Sequence, residues 1–186
     1  MSVDRRILLG MLAAAVCGPA RAAGPTMSSV TAYAFSFPGL HGGTLKLADY
    51  AGKPILIVNT ASFCGYTPQY TGLQQLWTRY GNRGLTIIGV PSNDFGGQEP
   101  GEAHEIGEVV KGMGVTFPIA AKAKVSGAGA HPFYKWAAAE HPSNQPSWNF
   151  HKYLVGRDGH VAGVFATGTE PTDTRIIQAI VKELPA

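Results

Sequence analysis

The pattern of apolar and polar positions predicts a βαβ unit in the first half of the chain. Ile55-Leu56-Ile57-Val58 is a continuous apolar, largely β-branched run, the mark of a strand buried on both faces. A polar loop from Thr60 to Thr67 follows. Pro68 then sits where the first turn of a helix tolerates proline, with Thr67 as its expected cap. Leu73, Leu76, Trp77 and Tyr80 recur at i, i+3, i+4 and i+7, one apolar helical face. The glycines at 81 and 84 close it, and Leu85 to Val90 reads as a second buried strand. Two strands joined through a helix should lie parallel.

Weaker signals flank this unit. Tyr33–Phe37 and Thr44–Leu47 read as strands around the Gly42-Gly43 hairpin signal. Helices are expected from Glu102 to Lys111, with acidic residues in the first turn, and near Pro132–Ala139. Tyr153–Val155 and Val161–Phe165 bracket Arg157-Asp158-Gly159, a second hairpin. Pro171 is expected to open a last helix bearing Ile176, Ile177, Ile180 and Val181. The expected architecture is α/β: a thioredoxin-like fold whose central mixed sheet is flanked by helices.

The first 22 residues follow another logic. Arg5 and Arg6 precede the apolar run Ile7–Cys17, and Ala20-Arg21-Ala22 supplies small residues at a cleavage position. This is the layout of an export signal, and the paired arginines resemble the twin-arginine type, although Asp4 departs from its usual Ser or Thr. The expected organisation is a signal peptide over 1–22 and one domain over 23–186, with a periplasmic or exported product after cleavage near Ala22. At 186 residues, 45% of them hydrophobic, the chain is long enough for one real core. Without residues 1–22 the balance is 12 basic against 11 acidic residues, so the basic character belongs mostly to the signal. Nothing indicates a nucleic-acid surface.

Cysteine usage narrows the chemistry. Cys17 lies in the signal and Cys64 in the loop after the first buried strand, so the exported chain would hold one thiol and no internal disulfide. Val16 before Cys17 argues against lipid attachment. A buried, inert filler is one reading of Cys64. The other is a reactive thiol, because the start of a helix presents free N–H groups and partial positive charge that favour a thiolate. Its polar surroundings, Ser62, Gly65, Tyr66 and Thr67, favour the second reading. A thioredoxin-type dithiol cycle is excluded, because Thr67 stands where the second cysteine would be. A peroxiredoxin would carry threonine at position 61, which is alanine. A Cys/His hydrolase stays open, but no histidine context singles out a base. Metal-ligand spacing is lacking.

Three segments resemble the signatures of the glutathione peroxidase family: Asn59 to Tyr70 around Cys64, Gly89 to Pro100 around Gln98, and Trp148 to Val155. They occur in family order and spacing, and the resemblance covers nearly all of the chain after the signal. It implies a thioredoxin-like peroxidase with Cys64, Gln98, Trp148 and Asn149 as catalytic residues. Cys64 would attack a peroxide oxygen. Gln98, Trp148 and Asn149 would donate hydrogen bonds to the thiolate and to the developing oxygen charge. The product is a sulfenic acid on Cys64, reduced by external thiols through exchange. No bound cofactor or metal is implied, and glutathione or another thiol serves as co-substrate. Two departures stand out. Glu102–Met113 lacks the resolving cysteine of many relatives, and Phe63 replaces a side chain that is often polar or basic. The short stretch His141–Ser147 lacks the family's oligomerisation loop, so a monomer open to bulky hydroperoxides is expected. A peroxide sensor that passes oxidation to a partner, and an inactive thioredoxin-fold binding module, are the alternatives.

Overall fold

The computed structural model describes residues 29–185; the expected export signal, with Cys17, lies outside them. Strands β1 (Ser36–Pro38) and β2 (Thr44–Lys46) form a small antiparallel hairpin. Strands β3 (Ile55–Thr60), β4 (Thr86–Pro91), β5 (Lys152–Val155) and β6 (Val161–Phe165) form the main sheet in the order β4-β3-β5-β6. β3 pairs parallel with β4 and antiparallel with β5, and β5 pairs antiparallel with β6. The mixed α/β, thioredoxin-like expectation holds.

Alternation along the buried strands sorts their side chains into two cores. Leu56, Val58, Ile87 and Leu154 face Leu73, Leu76 and Tyr80 of α1 (Gln69–Tyr80) and Ile176 and Ile180 of α4 (Thr174–Glu183). Ile106 and Val110 of α2 (Ala103–Gly112) join that side. Ile55, Ile57, Ile88, Val90 and Tyr153 face the aromatic side of α3 (Pro132–Glu140), with Phe133, Tyr134 and Trp136. β3 is buried at all six positions. Each Ile, Leu or Val withdrawn from water there contributes about 1.5–3 kcal/mol, which makes this strand the stable floor beneath the loop that follows it.

Local expectations shifted where tertiary partners intervened. Residues 32–34 form a 3-10 turn instead of a strand, held by the Ala32 N–H on the Gly159 carbonyl at 2.8 Å. Leu47 leaves β2 to begin another 3-10 turn. The last helix begins at Thr174, not Pro171, because the Asp173 side chain accepts from the Arg175 N–H and caps it. Thr67 does not cap α1. Its hydroxyl is engaged inside the Cys64 loop, as described below, and α1 has no side-chain cap.

The topology brings the three signature segments to one edge. β3 and β4 run parallel with Thr60 opposite Pro91, so the Cys64 loop and the Gln98 loop leave the sheet side by side. Antiparallel β5 places Lys152 opposite Val58, so the Trp148–Phe150 turn enters from that edge. Crevices outside the carboxyl ends of parallel strands are where open α/β sheets bind ligands.

Candidate active site

Residues 61–68 run through consecutive tight turns before α1 begins at Gln69. Cys64 therefore lies upstream of the helix and not at its first turn, and its N–H environment comes from the turns. The Tyr66 N–H points at Sγ at 3.4 Å. The Thr67 N–H closes onto the Cys64 carbonyl at 3.0 Å. The Thr67 hydroxyl accepts from the Cys64 N–H at 3.1 Å and donates to the Ala61 carbonyl at 2.9 Å, clamping both sides of the cysteine. Cys64 is unpaired and 7% exposed. It packs in the α1-side core, so it fills space there as well as lining the loop.

Exposed apolar side chains of the Cys64 loop and of the Trp148 turn form an apolar rim. Phe63 is 68% exposed, Tyr66 39% and Trp148 37%. Phe63 and Tyr66 flank Cys64 along the chain, and Trp148 is carried by the turn before β5.

The Gln98 loop is tied to the Cys64 loop by the Phe63 N–H, which donates to the Gln98 carbonyl at 3.0 Å. Gly96 and Gly97 turn this loop with φ of +68° and +64°, a region that suits glycine. Gly96 also lies under the Trp148 ring, where a Cβ would come within 3.2 Å of Cη2. The Trp148 and Phe95 rings pack at 6.2 Å between centroids.

Trp148 and Asn149 are aimed by the turn ending at Phe150, whose φ is +61°. Among the described residues it is the one non-glycine in this conformation, which costs about 1 kcal/mol or more. Asn59 of β3 holds the turn in place. Its carbonyl accepts from the Phe150 N–H at 2.6 Å, and its Nδ2 donates to the Trp148 carbonyl at 3.0 Å. The side chain of fully buried Asn149 donates to Gln98 Oε1 at 2.9 Å and to the Phe95 carbonyl at 3.4 Å. Both of its N–H groups are thus engaged. The Asn149 amide N–H groups therefore point to Gln98 and Phe95, and the Gln98 Nε2 has no hydrogen-bond partner among the described residues. The structure thus links Gln98, Trp148 and Asn149 in one network and sets it against the Cys64 loop.

Three residues near this site escaped the sequence reading. Glu99 is fully buried, and burial raises its carboxyl, with the Ser62 hydroxyl and amide pulling it back down. Neither its oxygens nor the Ser62 hydroxyl complete a hydrogen bond of good geometry. His151 is buried beside Tyr153. Burial, helped by the Lys152 charge, lowers it to about 4, so it is neutral at pH 7. Lys152 is fully buried within β5 and is lowered to about 8 by burial. The only signal in the sequence was a charge standing in an otherwise apolar strand. Among the described residues no cluster of three or more His, Cys, Asp or Glu side chains suited to a metal ion occurs.

Comparison with known proteins agrees with the geometry. Residues 32–138 match the family model described as glutathione peroxidase. The chain is 44% identical over 153 residues to a hydroperoxy fatty acid reductase of Synechocystis sp., covering 77% of this chain and 90% of that protein. It is 44% identical over 145 residues to a glutathione peroxidase of Lactococcus lactis, covering 76% and 92%. The crystal structure of Trgpx in apo form superposes with a TM-score of 0.67 at 36% identity, covering 85% of this chain and 100% of that one. A thiol:disulfide interchange protein of Chlorobium tepidum, at 17% identity and a TM-score of 0.61 over 81% of this chain and 93% of that one, shares the fold.

Proposed function

The chain belongs to the glutathione peroxidase family and is a thiol-dependent peroxidase, and we propose that it works through a sulfenic acid on Cys64. The Cys64 sulfur attacks one peroxide oxygen. An S–O bond forms as the O–O bond breaks, and the thiol proton ends on the departing oxygen, which leaves as water or an alcohol. The Gln98 amide, aimed by Asn149, and the Trp148 indole N–H stabilise the charge that develops on that oxygen. The observation that carries this reading is the Asn149–Gln98 hydrogen bond, which leaves the Gln98 N–H groups as the donors.

Reduction is proposed to come from outside the chain. Cys64 and Cys17 are its only cysteines. An external thiol therefore condenses with the sulfenic acid, releasing water, and a second thiol exchanges with the mixed disulfide to restore Cys64. Glutathione or another small or protein thiol fits this cycle, with no bound cofactor. The N-terminal basic–apolar–small pattern supports export to the periplasm, and the short stretch from His141 to Ser147 supports a monomer.

The apolar rim supports hydroperoxides with an apolar chain as substrates, in keeping with a relative named as a hydroperoxy fatty acid reductase. The test is stopped-flow oxidation of residues 23–186 by hydrogen peroxide and by a fatty acid hydroperoxide, with Cys64→Ser as control. Fast oxidation that depends on Cys64, retained with the bulky peroxide and weakened for it by Phe63→Ser, is the expected outcome. Oxidation no faster than that of free cysteine would sink the peroxidase mechanism.

A further inference from the structure

Lys152 is fully buried, yet no carboxylate lies within ion-pair distance of it among the described residues. Glu170 acts on it only at longer range. A buried ammonium without an ion-pair partner is costly, and an apolar residue of similar size would be the more stable choice in a strand of this kind. The contacts of Nζ show what a lysine supplies instead. It donates to the Gln69 Oε1 at 2.7 Å and to the Phe150 carbonyl at 2.7 Å.

Each acceptor belongs to one half of the site. Gln69 is the first residue of α1, and its N–H donates to the Tyr66 carbonyl inside the Cys64 loop. Its side-chain amide is already oriented, because Nε2 donates to the Thr167 carbonyl at 2.8 Å and so turns the oxygen towards Lys152. Phe150 is the left-handed residue that ends the Trp148–Asn149 turn. Asn59 holds the Trp148 carbonyl and the Phe150 N–H of that turn, and Lys152 holds the Phe150 carbonyl at its exit. A non-glycine residue keeps a left-handed φ only where its surroundings over-determine it. Without Lys152 the Phe150 carbonyl would lose this partner, and the turn that carries Trp148 and the Asn149–Gln98 hydrogen bond would lose a restraint.

We propose that Lys152 is a positioning residue for the peroxide step: by bridging the Gln69 side chain and the Phe150 carbonyl, it holds the Trp148–Asn149 turn in register with the Cys64 loop. The proposal rests on the peroxidase reading above. It assigns Lys152 no contact with peroxide; it acts through the turn that aims the donors.

The test compares two rates at Cys64 in wild type and in Lys152→Met: oxidation by hydrogen peroxide, which needs the aimed donors, and alkylation by iodoacetamide, which needs only an accessible thiolate. The expected result is an oxidation rate that falls at least about 10-fold more than the alkylation rate. General loosening of the fold would move both rates together and leave their ratio unchanged, and an unchanged ratio overturns the proposal. If Lys152→Met does not fold, Gln69→Leu removes one anchor and keeps the lysine. The ratio should then fall about 3-fold, and an unchanged ratio again overturns the proposal. Wild-type oxidation no faster than free cysteine would reject the peroxidase reading and this proposal together, whereas a fast wild type with an unchanged ratio rejects this proposal alone.

Discussion

The Asn149 Nδ2 donates to the Gln98 Oε1 at 2.9 Å, so two amides that look like parallel donors are donor and acceptor to one another. One consequence is a division of labour that mutation can expose. Gln98→Glu keeps an acceptor for Asn149 but removes the amide N–H groups and adds negative charge. Oxidation of Cys64 should fall about 100-fold or more, the scale of losing one preorganised donor. Asn149→Leu removes the orienting bond and leaves the Gln98 amide free to turn. It should also slow oxidation, and in combination with Gln98→Glu the losses should fall short of adding. Stopped-flow rates on the three variants decide this, and strict additivity would mean that the two amides act separately.

Thr67 should matter for both stability and rate. Its hydroxyl accepts from the Cys64 N–H and donates to the Ala61 carbonyl. Thr67→Val is expected to cost about 1–2 kcal/mol in urea unfolding, the scale of losing a partly buried hydrogen-bonded group, and to slow Cys64 oxidation. Thr67→Ser should recover most of both. A fully stable and active valine variant would show that the loop is held by other bonds.

Gly96 and Gly97 offer a matched pair. Both carry positive φ, but a Cβ on Gly96 meets the Trp148 ring while one on Gly97 meets nothing within 4 Å. Alanine at either position should cost about 1–2 kcal/mol for the backbone conformation. Only Gly96→Ala should also displace Trp148 and reduce the oxidation rate. Equal rates in the two variants would show that the indole position is unimportant to the reaction.

The pH dependence of stability should carry the mark of His151. In the unfolded chain it takes up a proton near pH 6.5, whereas in the folded chain burial delays this to about 4. The unfolded state thus binds more protons between these values, and this group's contribution to stability falls as pH drops through that window, by ~3 kcal/mol in all. Glu99 acts in the opposite sense. Its carboxyl is raised by burial, so the folded state holds its proton more tightly and stability is lost as pH rises through its range. Urea midpoints at pH 7 and pH 4.5 for wild type and His151→Phe should isolate the histidine, with the variant losing less stability on acidification. Parallel losses in the two proteins would place His151 in contact with solvent.

Much of this molecule follows from local rules. The β-branched run of β3, the apolar face of α1 and the turn residues before β6 are local signals, and each formed where expected because neighbours along the chain sufficed to specify it. Cys64, in a polar loop between strand and helix, marked the candidate site in the same way. Thr67 shows where such reasoning stops. A threonine before proline at a helix start reads as a cap, yet a nearer acceptor and donor in the Cys64 loop engaged its hydroxyl instead.

Sequence alone determined most of the elements and that they build a mixed α/β sheet, and its three signature segments pointed to Cys64, Gln98, Trp148 and Asn149. Only the tertiary structure decided which of their polar atoms meet. Asn149 came to donate to Gln98, and Lys152 came to bridge Gln69 and Phe150, through atoms that lie 51 positions apart for Gln98 and Asn149 and 83 apart for Gln69 and Lys152. Hydrogen bonds of a buried polar group are set by whatever the fold brings within 3 Å of it, and no periodicity along the chain encodes that.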